Sequence, residues 1–569
     1  MAKGKYNKME LLMMNIKKMP SKYPLLLTIL LPLTLLTACG GSGSQANTKP
    51  VPTPAPVSTE PSWIKDQFQP SSNFVAQCES PRAGSSPITG QAYPDKQGSE
   101  LLEKHWQRSF TNETYLWYKE VIDKDPKNFS LVEYFAQLKT TAVTDSGRDK
   151  DRFHWLQPTS EVEELTQLGV SYGYGISFDR QASTPPRRWI VQNLTPDTQA
   201  FAAGISRGSK LLQVDGVDFI NADNQTDIDA INNAIFSNVE GETHSFKFID
   251  NNDIEYQVEL QTATITGVPL QIAKTIDTPQ GKTGYLLLNS FNNSTVEKDL
   301  FNSFTTFAEQ GINDLIIDLR YNGGGYLALS SQLAYMVAGH DATTDKVYET
   351  RVYNDKISNE QTPFYNETLD LRRLIGGDSI IPAGQTLPTL NLNRVYVLTS
   401  DSTCSASESF MNSLIGIDLE VIQIGTTTCG KPYGFRSEDN CGSTYFTVQF
   451  KGENAAGFGD YADGLIPVTL PEAGKLAQVQ GCPMSEDYLH DLGDEQERLL
   501  ASALYYQTNN DCPELVENPA IIMSSVTAKS SFSAEKSKLK GKSPLQDAII
   551  RDVYFDQYRH IKAGEQNGN

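Results

Sequence analysis

Two residues with the chemistry for nucleophilic catalysis follow predicted strands in the second half of the chain. Ser405 comes just after the apolar strand RVYVLTS at 394–400 and directly before a predicted helix, and Lys431 follows the strand EVIQIG at 420–425. Loops at the carboxyl ends of strands are where α/β sheets place active sites. A serine hydroxyl needs a base to remove its proton, and a lysine can serve when its amine is neutral. The pair predicts a Ser/Lys dyad, with Ser405 as nucleophile and Lys431 as general base.

The residues around Ser405 also have a purely structural interpretation. Ser405 and Glu408 have the spacing of a capping box, in which a hydroxyl and a carboxylate satisfy the free N–H groups at a helix start. Taken alone, these two residues favour the cap. Lys431 at the end of a neighbouring strand shifts the balance toward catalysis.

A glycine triplet supplies the third element of the candidate site. Gly323, Gly324 and Gly325 follow the apolar strand DLIID at 314–318. Glycines allow close approach of the backbone to a ligand, so their N–H groups can bind a developing oxyanion together with the N–H of Ala406. Alone, such a triplet more often marks a plain turn.

Other hydrolytic sites are not indicated by the sequence. The chain has no G-x-S-x-G elbow, none of its six histidines lies in a recognisable catalytic motif, and there is no H-E-x-x-H helix. A Ser/Lys dyad therefore fits better than a Ser/His/Asp triad or a zinc peptidase. We expect no metal and no organic cofactor.

The elements that must position these residues predict an α/β fold class with several domains. Strands alternate with helices over 263–505, which indicates a core with mainly parallel strands. Amphipathic helical patterns predict a small helical domain at 96–162, and short strands predict a β-rich module at 163–262. The segment 39–95 is predicted to be a linker, and 506–569 a polar tail without assigned function.

The β-rich module resembles a PDZ domain. Tyr174, Gly175 and Ile176 stand where such domains have their carboxylate-binding loop, and the stretch at 196–216 is the more specific part of the likeness. Backbone N–H groups of this loop can bind a terminal carboxylate while the peptide adds as a strand to the sheet edge. The alternative is that Gly173 and Gly175 only permit a turn.

Together, the segments DLRYNGGG, TCSASE and GTTTCGKPYG resemble the carboxyl-terminal processing peptidases, or tail-specific proteases. The resemblance spans about 165–505 and implies a PDZ domain joined to an α/β core, Ser405 as nucleophile, Lys431 as base and a matching Glu408. It places the oxyanion donors on Ala406 and Gly324. Many members have a glutamine where this chain has Phe435, so an orienting role would fall to Glu408.

The chain begins like an exported lipoprotein. Six lysines precede the apolar run at 24–36, which is shorter than the ~20 residues of a membrane span, and Leu36-Thr37-Ala38-Cys39 resembles a lipoprotein box. We therefore expect a signal peptide over 1–38, lipidation of Cys39 and anchoring in the cell envelope, with Gly40 favouring the outer membrane. A short transmembrane anchor is the weaker alternative.

Charge and cysteines limit the partners and the compartment. The net charge of −21 would repel phosphate backbones, so nucleic acid is not an expected partner. Six cysteines besides Cys39 can oxidise in an exported chain; 15 pairings are possible, and Cys429 with Cys441 is the favoured one. The expected substrates are proteins with unstructured C-terminal tails. The sequence does not identify an activating adaptor protein. A non-catalytic PDZ scaffold lipoprotein is the alternative function.

Overall fold

The computed structural model describes residues 60–86, 90–163, 170–237, 239–374 and 378–514. The expected signal peptide, Cys39 and the part of the polar tail after 514 lie outside the described residues. Within the described ranges, no helix combines the length and the apolar character needed to cross a membrane.

The first described region is small and partly helical. Ser99 begins its main helix by accepting a hydrogen bond from the N–H of Leu102, and a capping box of Ser130 and Glu133 begins the second. Its strands are β1 (Gln77–Cys78), β2 (Lys96–Gln97) and β3 (Trp155–Pro158), its helices are α1 (Glu100–Thr114), α2 (Leu131–Gln137) and α3 (Thr159–Glu163), and it has short 3₁₀ turns at Ser71–Asn73, Tyr118–Glu120 and Pro126–Asn128.

This region corrects two of the expected boundaries. The linker prediction for 39–95 is wrong over the described part from residue 60, because β1 pairs with β2 and Cys78 is disulfide-bonded to Cys441. The helical region is also joined to the core, because β3 completes a three-stranded sheet with two strands from 438–446, and the Trp106 ring packs 4.8 Å from that of Tyr445. These contacts tie the region to the core chain.

The β-rich, PDZ-like module follows. Its strands are β4 (Val170–Gly173), β5 (Ile176–Ala182), β6 (Arg188–Leu194), β7 (Lys210–Val214), β8 (Val217–Asp218), β9 (Thr243–Ile249), β10 (Glu255–Gln261) and β11 (Ala263–Thr266), and its helices are α4 (Gln199–Ala202) and α5 (Gln225–Ile235). The main sheet has the order β10-β9-β7-β6-β5 with β8 beside β7, and β11 pairs with β4. Trp189, Phe246 and Ile228 lie in its own hydrophobic core. Strand β5 is therefore an edge strand.

The α/β core contains the remaining elements. Its strands are β12 (Leu270–Thr278), β13 (Gly281–Leu288), β14 (Asp314–Asp318), β15 (Val347–Tyr353), β16 (Glu360–Pro363), β17 (Arg394–Thr399), β18 (Glu420–Gly425), β19 (Tyr433–Gly434), β20 (Glu438–Asn440), β21 (Ser443–Phe446), β22 (Phe450–Glu453), β23 (Ile466–Val468) and β24 (Gln478–Pro483). Its helices are α6 (Val296–Gln310), α7 (Leu327–Thr343), α8 (Leu371–Leu374), α9 (Ala406–Ile415) and α10 (Arg498–Asn509).

The central sheet confirms the predicted fold class. Its order is β12-β13-β14-β17-β18-β24-β23, and every pair except β12 with β13 is parallel. Side chains alternate along β14, so that Leu315 and Ile317 pack in one cluster with α6, α7 and α9, while Ile316 packs on the other face with α10. Burial on both faces explains the continuous apolar character of these strands.

The end of the core differs from the expected boundary. The polar tail is predicted to begin at residue 506, but α10 continues to Asn509, and Cys512 is disulfide-bonded to Cys482 at the end of β24. The Tyr506 side chain is buried against the sheet. Residues 506–512 therefore belong to the core.

Candidate active site

Three loops meet at the carboxyl edge of the central sheet. The glycine loop (residues 320–325) follows β14, the serine loop (400–405) joins β17 to α9, and the lysine loop (426–431) follows β18. Backbone hydrogen bonds connect them: the N–H of Cys404 donates to the C=O of Asn322 and the N–H of Cys429 to the C=O of Thr403, both at 3.0 Å. Because the three strands are parallel and adjacent, their ends bring the predicted residues into one place.

Ser405 lies at a strained turn between β17 and α9. Its φ of 56° and ψ of −113° fall in a region that non-glycine residues rarely adopt, at a cost of about 1–3 kcal/mol. The residue is only 6% exposed, and its N–H donates to Oε2 of Glu408 at 2.9 Å. Such strain persists only where surrounding contacts hold it, as they often do in functional sites.

The carboxyl group of Glu408 connects the serine loop to the lysine loop. Besides the N–H of Ser405, it accepts the Thr428 hydroxyl at 2.5 Å, the N–H of Gly430 at 2.8 Å and the N–H of Lys431 at 2.9 Å. Burial raises the pKa of Glu408, and these four donors act in the opposite direction. Glu408 therefore binds the backbone at both residues of the candidate dyad, Ser405 and Lys431. This contact is additional to the helix cap that the spacing of Ser405 and Glu408 predicts.

Lys431 is buried, with 2% of its surface exposed. Its Nζ lies 4.4 Å from the ring centroid of Phe435 and 5.4 Å from that of Phe153. Aromatic faces attract a cation but offer an amine no acceptor oxygen. Phe435, which replaces the glutamine common in the resembled family, is thus one wall of the lysine side chain's environment.

The glycine loop contacts Ser405 directly. A Cβ atom added to Gly324 would lie 2.8 Å from the Cβ of Ser405 and 3.1 Å from the N of Ala406, and the φ of Gly324 is 106°, so only glycine fits. The N–H of Gly324 donates to Oδ1 of Asn322 at 2.9 Å, and Ala406 is the first residue of α9, where N–H groups have no intrahelical acceptor. The two residues predicted to supply oxyanion donors, Ala406 and Gly324, therefore lie beside Ser405. The N–H group of Gly324 is hydrogen-bonded to Asn322 in this structure.

The cysteine pairing differs from the favoured one. Cys404 is disulfide-bonded to Cys429, and Cys441 to Cys78, so the preference for Cys429 with Cys441 is wrong. The strand ends bring Cys404 and Cys429 together with a Cα–Cα distance of 5.2 Å, although 25 residues separate them in sequence. This disulfide joins the residue before Ser405 to the lysine loop.

The start of the glycine loop is held by buried ion pairs. Arg320, which is fully buried, donates to both oxygens of Glu497 at 2.7 Å and to Asp318 at 2.9 Å. Next to it, the Tyr321 hydroxyl accepts a hydrogen bond from Arg207 of the PDZ-like module at 2.6 Å, and Arg207 also pairs with Glu486 at 2.7 Å. The PDZ-like module therefore contacts the glycine loop through one arginine.

The predicted carboxylate-binding loop lies in the PDZ-like module, outside this cluster. The Tyr174 side chain is buried and donates to the C=O of Ala234 at 2.7 Å, so only its backbone could serve a ligand. Gly175 has a φ of 78°, and a Cβ there would lie 2.6 Å from the Thr198 side chain. Ile176 begins the edge strand β5.

Sequence reasoning missed two residues of the site. Thr428 both donates to Glu408 and accepts the N–H of Leu465 at 2.7 Å, and only its place in the run TTTCGK hinted at a role. Arg152, from the first described region, donates to the C=O groups of Cys429 at 3.1 Å and Gly430 at 3.2 Å. Burial lowers the pKa of Arg152 to about 10. No motif signals this residue.

Two clusters among the described residues group cysteines with a glutamate in the manner of a metal site. They are Cys404, Glu408 and Cys429, and Cys78, Glu103 and Cys441. In both, the cysteines are bonded to each other. A disulfide sulfur is not a thiolate ligand, so neither cluster can bind a metal in its oxidised form.

Residues 282–440, which include the three loops, match the model of Peptidase family S41. Among solved structures, a protein from Bacteroides fragilis NCTC 9343 described as an S41 protease is 23% identical, with 73% of this chain and 98% of that chain covered and a TM-score of 0.51. The photosystem II D1 C-terminal processing protease is 18% identical, with coverages of 65% and 92% and a TM-score of 0.39.

Mature CPAF in complex with lactacystin is 10% identical, with 64% of this chain and 87% of that chain covered and a TM-score of 0.32. No curated protein sequence matches the chain.

Proposed function

We propose that this chain, whose residues 282–440 match the model of Peptidase family S41, is a serine peptidase that cleaves exported proteins with Ser405 as nucleophile and Lys431 as general base. The carboxyl group of Glu408 carries this proposal. It binds the N–H groups of Ser405 and Lys431 at the same distance, 2.9 Å, and thereby holds the two loops together. The disulfide between Cys404 and Cys429 supports the same arrangement.

The reaction then follows the acyl-enzyme route. The amine of Lys431, acting as the base, takes the hydroxyl proton of Ser405 as Oγ attacks the scissile carbonyl carbon, which forms a tetrahedral oxyanion. The C–N bond breaks, and the ammonium group of Lys431 returns the proton to the leaving amine. Water, deprotonated by Lys431, then attacks the ester, and the acyl product leaves as Ser405 regains its proton.

The oxyanion requires donors next to Ser405. The N–H groups of Ala406 and Gly324 are the candidates, and preorganised donors of this kind are worth about 10²–10³-fold in rate each. The N–H of Gly324 must exchange Asn322 Oδ1 for the substrate oxygen. Gly324 belongs to the glycine loop, and Ala406 begins α9 directly after the serine loop, so the fold fixes both groups at the sheet edge.

The PDZ-like module would select the substrate by its C-terminal tail. Strand β5 is at the end of its sheet and can accept a peptide as a further strand, while the backbone at Tyr174 and Gly175 binds the terminal carboxylate. Arg207 links this module to the glycine loop. Tail recognition and cleavage would thus occur in one chain.

The decisive experiment uses the chain from residue 40 onward and an unstructured protein with or without an apolar C-terminal tail. We expect cleavage by the wild type, faster with the tail, and a loss of at least ~10³-fold in Ser405→Ala and in Lys431→Ala, since removing a nucleophile or its base leaves only binding and oxyanion stabilisation. Circular dichroism checks that the variants fold. Full activity in either variant excludes the dyad, and tail binding without cleavage favours a scaffold.

The N-terminal sequence supports attachment to the cell envelope through lipid on Cys39, outside the described residues. A lipidated N-terminus would keep the peptidase at a membrane surface, with the Gly-, Ser- and Pro-rich stretch after Cys39 as a tether. Labelled palmitate should be incorporated into the wild-type precursor in cells but not into Cys39→Ala. Equal labelling of both would exclude this anchor.

A further inference from the structure

Two consecutive peptide groups before Lys431 are held from both sides. In the Cys429–Gly430 peptide, the N–H donates to Oε1 of Glu408 at 2.8 Å and the C=O accepts from Nη2 of Arg152 at 3.1 Å. In the Gly430–Lys431 peptide, the N–H donates to Oε2 of Glu408 at 2.9 Å and the C=O accepts from the same Nη2 at 3.2 Å. A carboxyl group and a guanidinium group therefore enclose the backbone that carries Lys431.

The lysine loop needs such outside partners. Residues 426–432 belong to no helix or strand, so their peptide groups have no ladder to satisfy them. Glu408 accepts N–H groups of this loop, and Arg152 donates to its C=O groups. Arg148 adds a longer hydrogen bond, 3.4 Å, to the C=O of Cys429. Because the side chain of Lys431 is long and flexible, the position of its Nζ depends on how firmly this backbone is fixed.

Arg152 is itself held close to the loop. Its Nη2 lies 3.5 Å from the C=O of Ala462, and Asp463, the next residue, accepts the Thr144 hydroxyl at 2.7 Å and the N–H of Ser146 at 3.2 Å. The segment that leads to Arg152 is thus anchored on residues 462 and 463 of the core. The ring of Phe153, the following residue, lies against Nζ of Lys431 at 5.4 Å.

We infer that Arg152 is a positioning residue for Lys431, acting through the two peptide groups that it shares with Glu408. The inference rests on the proposed dyad and adds to it a contribution from the first described region, far from both loops in sequence. The contacts of Arg152 all come from Nη2, which the planar guanidinium holds in a fixed orientation, whereas the ammonium of lysine is a compact charge on a flexible stem. Lysine at position 152 would therefore not replace arginine in this role.

The first measurement is the steady-state kinetics of Arg152→Ala and Arg152→Lys. We expect kcat to fall by about 10- to 100-fold in both, because a displacement of about 1 Å in a reacting group has effects of this size. KM should stay within about 3-fold, since the substrate contacts are unchanged. Ethylguanidinium at millimolar concentration should restore part of the kcat of Arg152→Ala, which loss of folding alone would not allow.

Lys150→Ala is the matched control. Lys150 lies two residues before Arg152 and binds Glu120 at 2.7 Å. We expect wild-type kcat and KM for it. Should Arg152→Ala fail to fold, Arg152→Lys takes its place, because it keeps the charge and most of the aliphatic chain.

A second measurement tests the inference without turnover. Amide hydrogen exchange over 426–434 should be about 10-fold faster in Arg152→Ala than in the wild type, because hydrogen bonds to a charged group contribute about that factor. Lys150→Ala should exchange like the wild type.

An inactive wild type, or an active Lys431→Ala, would contradict the dyad proposal. Hydrogen exchange would still decide whether Arg152 holds the lysine loop. Unchanged exchange, or wild-type kcat in Arg152→Ala, overturns the inference.

Discussion

The glycine loop and the lysine loop lie on either side of the serine loop at one sheet edge, and they are anchored by different groups. The glycine loop is fixed by side chains, because Arg320 is paired with Asp318 and Glu497 in the interior. The lysine loop is fixed through its backbone, whose peptide groups bind Glu408 and Arg152, and through a disulfide. The same edge therefore uses two different means of fixing a loop.

The difference follows from what each loop has to present. A loop that offers a backbone N–H group to an oxyanion must keep that group exchangeable, as the N–H of Gly324 is with Oδ1 of Asn322, and the side chain of Arg320 can hold such a loop without using that group. A loop that offers a side chain, here Lys431, can use its peptide groups for anchoring.

Breaking the ion pairs of the glycine loop should cost the most stability. In Glu497→Ala, Arg320 loses its bidentate partner inside the protein, so we expect the free energy of unfolding to fall by about 3–5 kcal/mol. Urea denaturation monitored by fluorescence measures this change. Glu495→Ala is the control, because that side chain is exposed two residues away. Equal stability of the two variants would mean that the buried pairs do not hold the loop.

Two disulfides that close loops of similar length allow an effect on stability to be distinguished from an effect on catalysis. Cys404–Cys429 spans 25 residues and Cys482–Cys512 spans 30, so removal of either pair by double alanine substitution should lower the free energy of unfolding by about 2–4 kcal/mol. Only loss of Cys404–Cys429 should also lower kcat, because of these two disulfides only this one joins the serine loop to the lysine loop. Urea denaturation and kinetics of both variants measure this, and equal kcat values would contradict the special role of that disulfide.

Acid should weaken the attachment of the segment that carries Arg152. His154 is buried two residues further on, with Nε2 at 2.9 Å from the C=O of Phe135 and Nδ1 at 3.1 Å from the Thr447 hydroxyl, and burial lowers its pKa to about 4. The folded protein then binds fewer protons than the unfolded chain between pH 6.5 and about 4, so stability is lost as the pH falls through this window.

The expected size is modest. His154 should account for about 2 kcal/mol of the free energy of unfolding that is lost between pH 7.5 and pH 5. Urea denaturation at the two pH values should therefore show a loss in His154→Gln that is smaller than the wild-type loss by this amount. His105→Gln offers a comparison on α1, because burial also lowers the pKa of His105 to about 4. If His154→Gln and the wild type lose equal stability on acidification, His154 does not couple pH to this segment.

Much of the site could be predicted because its parts are consecutive in sequence. An apolar strand followed by Ser405, by Lys431 or by the glycine triplet is visible in a short window, and parallel strands must end at the same edge. The disulfide partner of Cys429 could not be found this way, since Cys404 and Cys441 are both close in sequence. Only the order of β17 and β18 in the sheet decides between them.

The amino-acid sequence by itself determined the alternation of strands and helices and the residue types at the strand ends. These depend on local periodicity. That only glycine fits at position 324 depends on the approach of Ser405 from another loop, which the tertiary structure decides. The tertiary structure alone decided that β3 joins the core and that Glu408 binds the backbone of both loops. It also placed Arg152 opposite Glu408. The contacts of β3 and of Arg152 join residues hundreds of positions apart. Contacts of this kind arise when buried polar groups must find partners wherever the packed chain provides them.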